Sequence, residues 1–102
     1  MARKAKTEIV YRPEADRDLA GIAIYTKSKW GAKQASLYLG DIRRVIERLQ
    51  DMGQRQPLIE DIYPGLRRIR SGRHFIYFIM NHETIDIIRV LHERRDFGEL
   101  LG

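Results

Sequence analysis

The residues best equipped for chemistry lie in "RVLHERRDF", from Arg89 to Phe97. Metal-free cleavage of RNA needs a base for the 2′-hydroxyl proton, cations for the charge on the phosphorane, and an acid for the leaving oxygen. His92 or Glu93 can serve as the base, and Arg67, Arg73 and Arg94 as the cations. The same letters also describe the polar end of a strand whose charges are solvated or held for a protein partner. Histidine beside arginine is common in basic proteins, and no spacing here has the specificity of a motif. Residue types alone leave both readings open.

Other reactive residue types have plainer readings. His82 falls in a turn and is expected to be exposed, Tyr77 lies mid-strand and is expected to pack, and Trp30 reads as a core or edge anchor at a helix end. The 3 histidines show no ligand spacing such as His-x-x-x-His, so no metal site is expected. "IRSGRH" contains a glycine in a hairpin, which is not a phosphate loop. With no cysteine, disulfides, thiolate ligands and a cysteine nucleophile are excluded together.

The elements that must position these residues come from a chain of 102 residues, one domain with a modest core. An apolar fraction of 43% fits a soluble globular class, and no run approaches the roughly 18 apolar residues of a spanning helix. "MARKAKTE" is basic without the apolar stretch of a signal peptide, so a cytoplasmic protein is expected, with residues 1–6 as a flexible arm. The net charge of +5 points to an anionic partner, either nucleic acid or an acidic protein.

"TEIVYR" (Thr7–Arg12) reads as a strand. Pro13 suits the first turn of a helix, and Glu14 and Asp16 follow where the helix dipole favours acids. Ala15, Leu19, Ile22, Ala23 and Thr26 form one stripe, ended by Lys29–Gly31. A second helix spans Ala32 to Met52, its stripe running through Ala35, Tyr38, Leu39, Ile42, Val45, Ile46 and Leu49, with Gly53 as its expected C-cap. The short connection predicts an antiparallel helical hairpin. Gln54–Gly65 reads as a loop whose Ile59, Ile62 and Tyr63 tuck onto the core.

The remainder reads as a meander of Leu66–Arg70, His74–Met80 and Thr84–Leu91, with turns at Ser71–Gly72 and Asn81–Glu83. "HFIYFIM" is apolar on both faces, as in a central strand. "RRDFGELL" makes a short helix or lies extended. The helical hairpin is the expected cover for one sheet face. Strand alternation splits Arg67 from Arg68 and Arg70, so no uniform basic stripe is expected.

Taken together, "YRPEADRDLAGIAIYTKSKWGAKQASLYLGDI", "GLRRIRSGRHFIYFI" and "IDIIRVLHERRDF" resemble the ParE toxins of the RelE/ParE superfamily of type II toxin–antitoxin systems, over residues 8 to 97. The shared features are Pro13-Glu14-Ala15, Asp18-Leu19, Tyr25, Trp30-Gly31, Gln34-Ala35, Gly65-Leu66-Arg67, His74 before a Tyr77-containing strand, and Arg89-Val90-Leu91-His92 with Asp96. No single piece is diagnostic; the order and spacing together are quite specific. The resemblance implies an α+β domain of order β-α-α-β-β-β, with the hairpin on one face of a mainly antiparallel sheet. Arg12 departs from the pattern, since relatives often have a capping serine there.

The superfamily implies two functions. RelE-like members cut messenger RNA on the ribosome, with an arginine opening the strand after the hairpin turn and a tyrosine near the C-terminus. Here His74 takes the arginine's place, Arg73 is one residue off and so faces the other way, and no tyrosine follows Tyr77. The match therefore favours the ParE branch, which implies a non-enzymatic poison of DNA gyrase, neutralised by a ParD-like acidic antitoxin in a hetero-oligomer. On this reading Arg67, Arg70, Arg73, His74, Arg89, His92, Arg94 and Arg95 are candidates for binding antitoxin or target. None is catalytic, no metal or cofactor is needed, no membrane is involved, and nucleic acid is met only indirectly. The runner-up is a ribosome-dependent endoribonuclease, and a third reading is a degenerate antitoxin-binding or operon-regulating module.

Overall fold

The computed structural model describes residues 7–101; the arm expected at residues 1–6 lies outside the described residues. The order is β1 (Glu8–Tyr11), α1 (Pro13–Trp30), α2 (Ala32–Met52), a 3₁₀ turn (Gly53–Arg55), β2 (Leu66–Ser71), β3 (His74–Met80), β4 (Thr84–His92) and α3 (Phe97–Leu101). The sheet runs β1-β4-β3-β2, with β1 parallel to β4 and the other pairs antiparallel. This is the expected α+β architecture. "RRDFGELL" resolves into a turn followed by a short helix.

α1 starts without a side-chain cap. Arg12 is extended, Pro13 sits where a missing N–H costs nothing, and Glu14 and Asp16 meet the positive end of the helix dipole. Gly31 serves both helices. Its N–H donates to Lys27 O, its carbonyl accepts from Ala35, and its φ of 94° suits only glycine comfortably. The hairpin therefore turns on a single residue.

Ala15, Leu19 and Ile22 from α1 and Ile42, Ile46 and Leu49 from α2 pack on Ile76, Phe78, Ile85, Ile87 and Val90 of the sheet. The opposite face is also covered. Leu66, Tyr77 and Leu91 pack with Phe97 of α3, while Ile59 and Ile62 of the long loop close over them. The hairpin is thus not the sole cover, because β3 is apolar on both sides and needs two lids. Tyr77 packs as expected, but Tyr63, expected to tuck in with the two isoleucines, stays 49% exposed.

Gly53 is the C-cap of α2 as expected, its N–H donating to Leu49 O, but it is not left-handed. Its φ of −59° keeps the chain right-handed into the 3₁₀ turn, and it is buried against β3, where an added Cβ would lie 2.9 Å from Met80 Sδ and push that flexible side chain aside. The β2–β3 turn is one residue later than expected, at Gly72–Arg73. Gly72 takes the first central position of a two-residue loop with φ 58°, the II′ pattern that matches strand twist.

Candidate functional site

The last cross-strand pair of β3 and β4 is His74 opposite His92, with ring centroids 5.4 Å apart in an edge-to-face arrangement. Tyr38 of α2 reaches over this pair, its hydroxyl 2.6 Å from His74 Nδ1. The Arg73 backbone N–H donates to the same hydroxyl at 3.0 Å. These groups form the floor of a groove of about 680 Å³, walled by the α1–α2 turn on one side and by the β2–β3 turn and Arg94 on the other. On its rim Tyr25 and Trp30 are 61% and 66% exposed. Trp30 is therefore a surface aromatic and not the core or edge anchor expected of it. Lys29, Arg73 and Arg94 add positive charge, and the groove lining contains no carboxylate.

The hydrogen bonds fix the imidazoles. The Arg94 N–H donates to His92 Nδ1 at 3.2 Å, so Nδ1 carries the lone pair and the ring proton sits on Nε2. The Tyr38 oxygen accepts from the Arg73 N–H and shares a short hydrogen bond with His74 Nδ1, so Nδ1 of both rings is engaged within the fold. Burial, followed by the neighbouring His92, holds the His74 pKa below the usual histidine range. Burial likewise raises the Tyr38 phenol.

A pH effect follows. A histidine whose folded pKa lies below its unfolded value gives stability that is complete above the unfolded pKa, about 6.5, and is lost as pH falls toward the folded one. The wild-type urea midpoint is expected to fall between pH 7.5 and 5.5, and His74→Gln is expected to flatten that fall. Equal slopes for the two proteins would contradict the assignment.

The remaining candidate residues are spread over the molecule. Glu93 is clamped by Arg70 Nη1 at 2.6 Å and Arg73 Nη1 at 3.3 Å; the Arg70 hydrogen bond foremost holds its carboxyl below the usual range. Arg70 and Arg68 also sit over the Phe75 ring, on the sheet face away from the groove. Arg95 is exposed and outside the groove lining, its N–H donating to His92 O. His82 is exposed as expected. Among the described residues there is no cluster of acids and histidines suited to a metal.

Arg67 points elsewhere, donating to the carbonyls of Gln54 at 3.2 Å and Gln56 at 2.6 Å and so pinning the long loop. Arg67→Ala is expected to cost about 1–2 kcal/mol in urea unfolding and to speed amide exchange across 54–60. Unchanged exchange there would contradict the pinning role.

Arg89 is turned inward. Tyr77 pairs with Arg89 and Phe78 with Ile87, leaving Ile88 as a bulge, the device that re-aims a side chain. Arg89 then forms a two-pronged ion pair with Asp18 of α1, Nε to Oδ2 at 2.7 Å and Nη2 to Oδ1 at 2.9 Å. That bond leads the causes holding its guanidinium pKa above the ordinary value. Of the eight candidates Arg73, His74, His92 and Arg94 therefore converge on the groove, and Arg67, Arg70, Arg89 and Arg95 do not. Sequence reasoning assigned no role to Asp18 and placed Tyr38 only in an apolar stripe. Each lies 36 or more positions from its partner, so no local spacing could have linked them.

Residues 9–97 match a family model described as "ParE toxin of type II toxin-antitoxin system, parDE". The chain belongs to the ParE toxin family. It is 34% identical over 85 residues to Toxin ParE1 of Mycobacterium tuberculosis, covering 82% of this chain and 87% of that protein. It is 31% identical over 91 residues to Toxin ParE of Escherichia coli, covering 88% of each chain. The fold is similar to that of a chain in a structure of the chromosomal ParDE TA system from P. aeruginosa, with a TM-score of 0.74 and 19% identity over 85% of this chain and 96% of that one. The ParE toxin described here thus keeps the family's helical hairpin and sheet, and the imidazole groove is built at the junction between the two.

Proposed function

We propose that this ParE toxin acts on DNA gyrase by docking, trapping its cleaved DNA complex, and that bond-breaking is not part of its action. The observation that carries the reading is that the groove's candidate bases are already engaged. Nδ1 of His74 and of His92 is hydrogen-bonded within the fold, and Glu93, the adjacent carboxylate, is held between two guanidinium groups. A phosphodiesterase needs a base free to accept at the 2′-hydroxyl, and the engagement of these groups argues against one. The resting-cell partner is a ParD-like antitoxin with an acidic amphipathic segment. Exposed apolar residues on the hairpin, among them Ile24, Leu37 and Trp30, would meet its apolar side, and the arginines its acids.

The endoribonuclease alternative draws on the two imidazoles beside Arg73 and Arg94. A supercoiling assay with purified gyrase separates the two. Loss of supercoiling with accumulation of cleaved DNA is expected, and primer extension on translated messages is expected to show no codon-phased cuts. Intact supercoiling together with codon-phased cuts would reverse the assignment.

A further inference from the structure

We infer that the groove over His74 and His92 seats one unpaired nucleotide of a single-stranded nucleic acid, with its phosphate held by Arg73, Arg94 and the imidazoles and its base on Trp30. This goes beyond the proposed target, and beyond the expectation that nucleic acid is met only indirectly.

The case rests on donors, space and aromatic surface. The floor offers two imidazoles, and the wall two guanidinium groups. Arg94 makes no ion pair among the described residues, while Arg73 is 75% exposed and holds Glu93 only at 3.3 Å. No lining carboxylate repels an anion. Guanidinium groups with further N–H donors are the chemistry that recognises phosphate oxygens. A volume of about 680 Å³ lies in the range of small-ligand sites and is large enough for one nucleotide.

Trp30 and Tyr25 line this groove yet stay largely exposed; Lys29 Nζ lies over the Tyr25 ring, whereas Trp30 makes no aromatic or cation contact among the described residues. Stacking of a base on such a face is tolerant of sequence and needs a base free of its own stack. A duplex has none to offer. An acidic peptide meets the same cations and can lay an apolar side chain on Trp30, but a nucleotide joins a flat face and an anion in one unit, which is why the single strand is favoured.

The test uses the full chain and a fluorescein-labelled eight-nucleotide oligothymidylate, read by anisotropy and by the emission of Trp30, the 1 tryptophan in the sequence. Saturable binding with quenching of Trp30 is expected. The affinity should fall with salt at a log–log slope of about −0.7, for the one phosphate neutralised. Arg73→Gln with Arg94→Gln should weaken binding about tenfold or more and remove most of that slope. Trp30→Ala should weaken it about tenfold while leaving the slope nearly intact. Circular dichroism and melting curves confirm that the variants fold, which their exposed positions favour.

Three results would overturn the proposal. One is unchanged Trp30 emission. Another is equal affinity for a blunt duplex of the same length, which would mean attraction by charge alone. The third is tighter binding of an acidic peptide of equal charge, which would give the groove to a protein partner. Neither gyrase nor antitoxin is present, so failure here leaves the proposed target standing, and failure of the supercoiling assay leaves this site standing.

Discussion

Asp18→Ala is expected to destabilise the toxin by about 3 kcal/mol, the largest loss among the substitutions considered. The Asp18 carboxylate accepts from Arg89 Nε and Nη2 and also from the backbone N–H of Val90 at 2.9 Å. That third bond explains its position. β1 pairs with β4 only as far as Ile87, where Arg12 N–H makes the final contact, so Val90 lies beyond the end of its neighbour strand. Asp18 stands in for the missing strand.

The two side chains are 13% and 25% exposed, so removing the acid strands a largely buried cation and a backbone donor. Such losses run to about 3–5 kcal/mol when fully buried, and partial exposure puts this one at the low end. The melting temperature should fall by roughly 12–24 °C for a domain near this size. Asp18→Leu with Arg89→Met should recover much of the loss, because an apolar pair leaves no orphaned charge. A single-mutant cost below about 1 kcal/mol in urea unfolding would show that the pair is ornamental.

Gly72→Ala is expected to cost about 2–3 kcal/mol and to disturb the groove with it. At φ 58° an L-residue carries a penalty of about 1–2 kcal/mol. The added methyl would also lie 2.7 Å from Tyr38 Cε1 and 2.8 Å from its oxygen, closer than any real contact. The ring must move, and with it the hydroxyl that holds His74 and the Arg73 N–H. Tyr38→Phe separates the two causes. It removes the hydroxyl without crowding, and should cost about 1–2 kcal/mol. A neutral Gly72→Ala in thermal unfolding would mean that the turn and the ring are uncoupled.

The fold was legible where periodicity was strong. The α2 stripe runs nearly six turns, and both bounds of that helix and of β3 come out as read. The second lid over the sheet was harder to see. "HFIYFIM" announced two buried faces, but the residues that cover the second come from a loop and from a five-residue helix, neither of which has a usable period. The site divides in the same way. His92 and Arg94 stood out because they are neighbours in the chain. The partners that hold the imidazoles in place are Tyr38 and backbone amides, and hydrogen bonds to main chain leave no mark in the choice of residue. The bulge at Ile88 was equally silent, as was the Asp18 pair that makes Arg89 an interior clasp.

The parallel seam between β1 and β4 has a consequence for how the toxin is born. The strand that joins the first segment to the rest occupies an interior place in the sheet and is translated after β2 and β3. Until residue 92 has been made, a nascent chain holds two helices with only the β3 part of their sheet to pack on and an opening strand with no neighbour. Contacts of such long sequence separation form late. Synthesis thus imposes its own delay: the sheet closes only once β4 emerges, and a message truncated before Thr84 leaves β1 and β3 without the strand that joins them.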